Sequence, residues 1–395
     1  MYLKKQYYSS YQNIIFALLL ISGAVKFVFS DIEFPIDITL VFSSLLLVDI
    51  LFNLSLNSVF YKKISSNQAF FLGAYISLYV VMVFSLVYTK SNSYGYSKTF
   101  FFILNLICFV YPIFMKRFNH RVFFKTILVP LVLVSIWFLI KRYLSWYSPD
   151  PNVRIFYKQF SGSYLLLSNA LAFCILYYIF LRKYLLALAL FLLIVALGGR
   201  GPIIFLILLV LYWKLPSILK LKLSRNFIKK VQYVILIIIP LAYFFRNQLA
   251  SAFKVGFGRI MSFIDYGQDK SVLSRFDYFG FTLENMFDSV QTIFLGHGIG
   301  SFGIMYNGLD KKEFPHNIFL EAWFELGLIG LTLTVLLFFV SLFVYRNKPL
   351  VIKLMCVYFL LHALKSGSFD GMRFMSAIYG MLIFFSYDVF DRKMG

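Results

Sequence analysis

Long apolar runs recur along the whole of this 395-residue sequence, and they restrict the fold more than any other feature does. A helix needs about 20 mostly apolar residues to cross the hydrocarbon core of a bilayer. Apolar residues make up 61% of the chain, whereas soluble domains average about 45–50%. The sequence therefore predicts an all-α polytopic membrane protein with about twelve transmembrane helices, organised as a single integral membrane domain over residues 1–395. The predicted spans, of which the seventh and eighth are short, are 12–29, 36–57, 69–89, 99–115, 122–140, 161–181, 184–199, 201–213, 231–246, 318–345, 350–364 and 372–390.

The distribution of Lys and Arg over the short loops predicts the orientation of these spans. With the N-terminus in the cytoplasm, basic loops such as the one with Lys62 and Lys63 lie inside. The outer loop with Asp31, Glu33 and Asp37 then has no basic residue. An even number of spans returns the C-terminus to the cytoplasm. The net charge of +21 is thus spread over short loops and forms no continuous stripe for a nucleic-acid duplex.

This assignment leaves one long outer loop, residues 246–317. Loops of such length in compact proteins are usually functional or disordered. This one contains too many aromatic and aliphatic residues to be disordered. We expect it to form amphipathic helices that lie on the outer membrane surface.

His316 stands where this loop meets the tenth predicted span. It follows Pro315 and precedes an apolar helical run, so we place it at or just before a helix N-terminus, where backbone N–H groups favour an anion. A neutral imidazole is also a natural general base for a hydroxyl group. The alternative is a structural histidine at the helix N-cap that is satisfied by the backbone.

Asn317, Glu321 and Glu325 follow at i, i+4, i+8 spacing and share one face of the predicted helix. They are candidate substrate-binding residues that could orient a sugar hydroxyl. The alternative is a structural role in ion pairs. Pairing is favoured for Glu325, because a lone buried carboxylate is costly.

Glycines punctuate the segment GHGIGSFG at Gly296–Gly303. It neither follows a strand nor precedes a P-loop lysine, so it predicts a turn-rich loop rather than a nucleotide site. His297 within it is a further candidate substrate ligand. Gly327 and Gly330 in the following helix indicate close helix packing more than chemistry.

Several arginines fall on the predicted outer side. Arg200 lies in GGRGP, a glycine-flanked break between two short apolar halves, which suits bidentate capture of a phosphate. Arg259 and Arg275 lie in the long outer loop, and both are candidates for contact with an anionic substrate. Arginines that converge beside a histidine form an anion site that needs no metal. No metal-ligand cluster is visible, and we expect no metal, no cofactor and activity that survives chelators.

These motifs resemble the signature region of the O-antigen ligase and O-antigen polymerase superfamily. The resemblance lies in GHGIGSFG, then His316-Asn317, and then, after nine intervening residues, Gly327-Leu-Ile-Gly330. The arginine of GGRGP and the Ser274-Arg275 segment are similar to the other two marks of that family. The number of spans, the cytoplasmic termini and the long outer loop fit it too.

The resemblance implies a metal-independent, GT-C-like glycosyltransferase of the bacterial plasma membrane. Its donor would be a polyprenyl-pyrophosphate-linked oligosaccharide presented at the outer face of the lipid bilayer. Arg200 and Arg275 would then hold the pyrophosphate, and His316 would activate or orient the acceptor hydroxyl.

Two activities within the superfamily compete. A polymerase joins lipid-linked repeat units, with a chain-length regulator protein as a further partner, whereas a ligase transfers the finished chain to lipid A-core. We favour the polymerase, because such proteins are aromatic-rich and variable outside the motif. A flippase or other transporter is an alternative of another class, but its charges would be distributed along a central cavity. Here the polar groups are concentrated in the last third of the chain.

Overall fold

The chain folds into helices joined by turns, as seen in a computed structural model that describes residues 2–28, 37–56, 64–147, 163–218 and 270–385. No strand occurs in that part of the chain. The helix that begins at Ile318 continues beyond Val335 through a π-helical turn at Leu336–Val340, and this extended helix ends at Val344. In chain order the helices are α1 (Tyr2–Val28), α2 (Ile38–Leu56), α3 (Ser66–Ser85), α4 (Tyr94–Val110), α5 (His120–Tyr147), α6 (Ser163–Phe180), α7 (Tyr184–Leu197), α8 (Arg200–Ile218), α9 (Lys270–Asn285), α10 (Val290–Leu295), α11 (Ser301–Asn307), α12 (Ile318–Val335), α13 (Leu350–Ser366) and α14 (Arg373–Phe384).

Six helices among the described residues are long and apolar enough to cross a membrane, namely α1 to α5 and the extended α12. Shorter apolar helices are α6, α7 and α14. Every predicted span that falls within the described residues overlaps a helix. The prediction of an all-α membrane protein is confirmed. The count of twelve spans stays a prediction, because the span 231–246 lies outside the described residues.

The helices separate into two compact units. The first comprises residues Met1–Gly23, Glu33–Ile127 and Asp269–Gly395, and the second comprises Ala24–Ile32 and Leu128–Gln268. The first unit therefore contains α2 to α4 and everything described after residue 269, and the second contains α6 to α8. The prediction of one integral membrane domain stays a prediction.

Helices α3, α4 and α14 form the core of the first unit. The ring of Tyr75 in α3 stacks on Phe102 and Phe109 of α4, with centroid distances of 5.4 and 4.2 Å. Its hydroxyl lies 2.6 Å from Ser376 Oγ in α14. A Cβ at Gly380 would lie 2.2 Å from the Phe109 carbonyl oxygen, so α14 can approach α4 this closely only with glycine there.

Three short helices occupy residues 270–317, the described part of the predicted outer loop. These are α9, α10 and α11, and residues 246–269 lie outside the described part of the chain. Helices are present here as the sequence predicts, and their position on the outer membrane surface stays a prediction.

Candidate active site

His316 adopts a left-handed backbone conformation, with φ at +58°. Asn317, the next residue, is the N-cap of α12. Its side-chain oxygen accepts hydrogen bonds from the backbone N–H groups of Phe319 and Leu320, at 2.9 and 3.2 Å. The helix end is thus capped without the imidazole, and the alternative of a structural N-cap histidine does not describe His316.

Aromatic rings enclose the half-buried imidazole of His316. Tyr278 of α9 stacks on it with a centroid distance of 5.6 Å, and Phe314 lies at 4.6 Å in a tilted arrangement. The Nδ1 atom is buried and has no hydrogen-bond partner among the described residues. Buried polar atoms in proteins are nearly always hydrogen-bonded, so a buried Nδ1 without a partner marks a place where a ligand group could bind.

Burial of the imidazole, together with the charge of Arg275, lowers the pKa of His316 to about 4. Its ordinary value is 6.5. The ring is therefore neutral at pH 7, and a neutral imidazole carries one nitrogen that accepts a hydrogen bond. Arg275 lies on α9, close enough for its charge to act on the ring. The structure thus places Arg275 near His316, and the joint catalytic role predicted for the two residues stays a prediction.

Arg200 begins α8 in the second unit. Gly198 is the C-cap of helix α7 and has a φ of +81°, and a Cβ at Gly199 would lie 2.5 Å from Ser168 Oγ. Both glycines are thus required for the turn that carries the arginine. The predicted break is confirmed, and it lies between the 14-residue α7 and the 19-residue α8, which is longer than the predicted span 201–213. The convergence of Arg200 with Arg275 and His316 stays a prediction, and Arg259 lies outside the described residues.

Helix α12 is broken at Gly327, whose φ of +66° and ψ of −165° are not helical. Such a break deprives the carbonyl groups of the preceding turn of their usual intrahelical donors. The Gly296–Gly303 loop supplies replacements. The backbone N–H of His297 donates to the Phe324 carbonyl at 2.8 Å, and that of Gly298 donates to the Glu325 carbonyl at 2.9 Å.

This exchange of hydrogen bonds requires the two backbones to lie in direct contact. A Cβ at Gly327 would lie 2.2 Å from the carbonyl of Phe294, and one at Gly296 would lie 2.4 Å from the carbonyl carbon of Glu325. The predicted close packing at Gly327 is confirmed. The predicted turn-rich loop is observed at residues 296–300, whereas Ser301–Gly303 form the start of α11. The helix break itself was not anticipated from the sequence.

His297 is held by the protein on several sides. Its Nε2 lies 3.0 Å from the carbonyl oxygen of Asn285, at the end of α9, and its ring packs on Phe324. Burial lowers the pKa of the imidazole. These contacts anchor the glycine loop to α9 and α12. A contact between His297 and substrate stays a prediction.

Glu321 and Glu325 are completely buried and share one cation, Lys98 of α4. The Lys98 Nζ lies 2.5 Å from Glu321 Oε1 and 2.6 Å from Glu325 Oε2. The ion pairing favoured for Glu325 is therefore present, with a lysine as its partner. A substrate contact of either carboxylate, or of Asn317, stays a prediction.

Lys98 is not among the site residues predicted from the sequence. The predicted span began at residue 99, which put the lysine in the preceding loop. The helix begins at Tyr94 instead, so Lys98 lies one turn inside it. The signal that could have found it was the pair of carboxylates on one face of α12, since two buried acids need a cation.

A turn at residues 368–371 completes this polar cluster. Ser368 Oγ donates to Glu321 Oε1 at 2.8 Å, and the backbone N–H of Phe369 donates to Glu321 Oε2 at 3.1 Å. In the same turn, Asp370 forms an ion pair with Lys312 at 2.7 Å. The segment that leads into His316 and the helix that follows it are therefore both bound to this turn. Among the described residues, no group of three or more His, Cys, Asp or Glu side chains could hold a metal ion.

Part of the chain is similar to a known protein family. Residues 185–335 match a family model described as O-antigen ligase. The matched segment contains Arg200, Arg275, His316 and the glycine loop, so it covers every motif on which the resemblance was based. The match supports the O-antigen polymerase and ligase superfamily. No curated protein matches the chain.

Proposed function

From the O-antigen ligase family segment at residues 185–335, we propose that the chain is an O-antigen or capsular polysaccharide polymerase. It joins polyprenyl-pyrophosphate-linked repeat units at the outer face of the bacterial plasma membrane, with both of its termini in the cytoplasm. The observation that carries the proposal is the neutral His316 beside Arg275, with a buried Nδ1 that has no partner among the described residues. An acceptor hydroxyl is the kind of group that this nitrogen could bind.

The reaction breaks the bond between the anomeric carbon of the donor and a pyrophosphate oxygen. A new bond forms between that carbon and the acceptor oxygen, and the hydroxyl proton must leave. His316 accepts the hydrogen bond from this hydroxyl and takes the proton as the new bond forms. The pyrophosphate gains negative charge as it departs, and Arg275 and Arg200 stabilise that charge.

Binding of the donor also prepares His316 for this role. In the free protein, Arg275 disfavours the protonated ring. A pyrophosphate bound to Arg275 offsets that charge and raises the pKa of His316, since an anion nearby favours the imidazolium form. The ring therefore becomes a stronger base when the donor is in place.

The second candidate is the ligase reaction, which is favoured because the matching family is described as O-antigen ligase. It uses the same donor chemistry and the same three residues. The two activities differ in the acceptor, which is a second lipid-linked unit for the polymerase and lipid A-core for the ligase.

The surface glycan of a deletion strain, resolved on a gel, tests the proposal. We expect lipid A-core that bears a single repeat unit, because the chain-joining step is lost while transfer to the core continues. Bare core with long chains still on the carrier lipid would assign the ligase reaction instead. Bare core with single units trapped on the inner leaflet would overturn both assignments. Complementation with the wild-type gene restores long chains and controls for effects on neighbouring genes.

A further inference from the structure

Lys98 is a completely buried cation within a helix long enough to span the membrane. Its two ion pairs, with Glu321 and Glu325, are equally buried. Well-packed apolar residues often stabilise a protein as well as a buried ion pair does. Ionisable groups inside membrane helices are rare and usually have a functional role. Burying these three charges costs free energy, and a gain in stability does not account for their presence.

The carboxylates of the cluster belong to the half-helix of residues 318–326, which is separated from His316 only by the N-cap residue Asn317. This half-helix ends at the break at Gly327, where the hydrogen-bond ladder of α12 is interrupted. The position of residues 318–326 is therefore not fixed by a continuous helix with the remainder of α12. Among the contacts that hold this half-helix in place are the hydrogen bonds of the glycine loop and the ion pairs of Glu321 and Glu325 with Lys98.

The segment before His316 is bound to the same elements. The carboxylate of Asp310 accepts hydrogen bonds from the backbone N–H groups of Asn92 and Ser93, at 2.8 and 2.7 Å, where α4 begins. Lys312 pairs with Asp370 in the 368–371 turn, and that turn donates two hydrogen bonds to Glu321. Both flanks of His316 are thus tied to α4 and to this turn.

We propose that Lys98 is a positioning residue, which sets the location of the His316 ring through Glu321 and Glu325. The inference rests on the proposed function of His316. Lys98 has no contact with substrate in this role. A displacement of about 1 Å in a catalytic group can lower a rate about 100-fold, so a fixed half-helix is needed for the imidazole to meet the acceptor hydroxyl.

The variant that tests this role removes all three charges at once, as Lys98→Met with Glu321→Gln and Glu325→Gln. It leaves no unpaired buried charge, so the protein is expected to fold and to keep its helical circular dichroism. The ion pairs that hold the half-helix are lost. If the cluster is purely structural, its replacement leaves the His316 ring unchanged. If the cluster positions His316, its replacement displaces the ring.

The first readout is the titration of His316, followed by NMR on protein with isotope-labelled histidine. The chain has four histidines, and the His316→Gln variant assigns the signal. In the wild type we expect the signal to titrate near pH 4, and in the triple variant we expect it to move toward 6.5 as the ring gains access to water. An unchanged titration in the folded triple variant overturns the proposal.

The second readout is turnover of purified protein with a lipid-linked repeat unit. We expect kcat to fall about tenfold or more, with a smaller change in KM, because the imidazole is displaced while the donor site remains. Wild-type kcat in the triple variant, with an unchanged titration, shows a purely structural cluster. If the His316 titration shifts while kcat is unchanged, the result supports the positioning role of Lys98 but overturns the catalytic role of His316.

Two further variants keep the test decisive. If the triple variant does not fold, Glu325→Gln alone retains one cation and one carboxylate, and the same shift of the His316 titration is expected in smaller amount. Tyr75→Phe removes a buried hydrogen bond to Ser376 elsewhere in the same unit. It is the matched control, and we expect it to leave both readouts unchanged.

Discussion

His316 combines a left-handed backbone, a ring enclosed by aromatic side chains and a buried nitrogen without a partner among the described residues. A non-glycine residue in this conformation costs of order 1–3 kcal/mol, and such residues cluster at functional sites. The conformation directs the ring toward Tyr278 on α9 and leaves the capping of α12 to Asn317. Burial of the ring, together with the charge of Arg275 on the same helix as Tyr278, lowers the pKa of His316 and keeps the imidazole neutral.

The pH dependence of kcat/KM tests this neutral state. The pKa of His316 in the free protein is lowered to about 4, so the ring is deprotonated at every pH well above 4. We expect kcat/KM to stay constant as the pH falls through 6.5 and to decline only near pH 4, since kcat/KM reports the free enzyme. An acid limb at 6.5 would contradict the environment described for the ring.

The variant His316→Gln belongs to the same experiment. Loss of a general base typically lowers the rate by about 10²–10⁴-fold, and the residual activity should lack the acid limb. His120→Gln is the matched control, because His120 begins α5 and has no place in the proposed chemistry. We expect its activity and pH profile to equal those of the wild type.

Helix α12 consists of two helices that meet at Gly327, and the glycine loop repairs the hydrogen bonds that the break removes. In a membrane, unpaired backbone groups are especially costly, so a broken helix is tolerated where other protein groups satisfy it. Here His297 and Gly298 supply the donors through their backbone N–H groups. The loop and the break therefore depend on each other.

The variant Gly327→Ala tests this dependence. The added Cβ would lie 2.2 Å from the Phe294 carbonyl, at a φ of +66° that alanine rarely adopts. We expect a loss of stability of about 1–3 kcal/mol or more, seen as a lower midpoint of thermal unfolding in detergent. Gly73→Ala in α3 is the matched control, because a Cβ there meets nothing within 4 Å. It should leave the midpoint unchanged or raise it slightly.

The sequence predicts the helices well, because apolar length and periodicity are local properties. The GGRGP turn and the shared face of Glu321 and Glu325 are local too, and both are observed. Lys98 could not be assigned its role, since its partners lie more than 200 residues away. The break at Gly327 could not be predicted either. The loop that supplies the missing hydrogen-bond donors is distant in sequence, and a glycine in a membrane helix more often indicates close packing.

The orientation of the chain in the membrane stays a prediction, and the extended α12 offers the sharpest way to test it. This helix runs over 27 residues from Ile318 to Val344. At 1.5 Å per residue it is long enough to cross a bilayer. The proposed function requires its N-terminal end, with His316, to face outward and its C-terminal end to face the cytoplasm.

Two single cysteines report these ends. Lys311 lies before His316 and Arg346 follows α12, and both are exposed. We expect a membrane-impermeant maleimide to label Lys311→Cys in spheroplasts and to label Arg346→Cys only after permeabilisation. The native cysteines Cys108, Cys174 and Cys356 are buried and free, so the parent protein serves as the unlabelled control. Labelling of Arg346→Cys from outside, with Lys311→Cys protected, would place His316 in the cytoplasm, away from a donor on the outer face, and would exclude the proposed reaction.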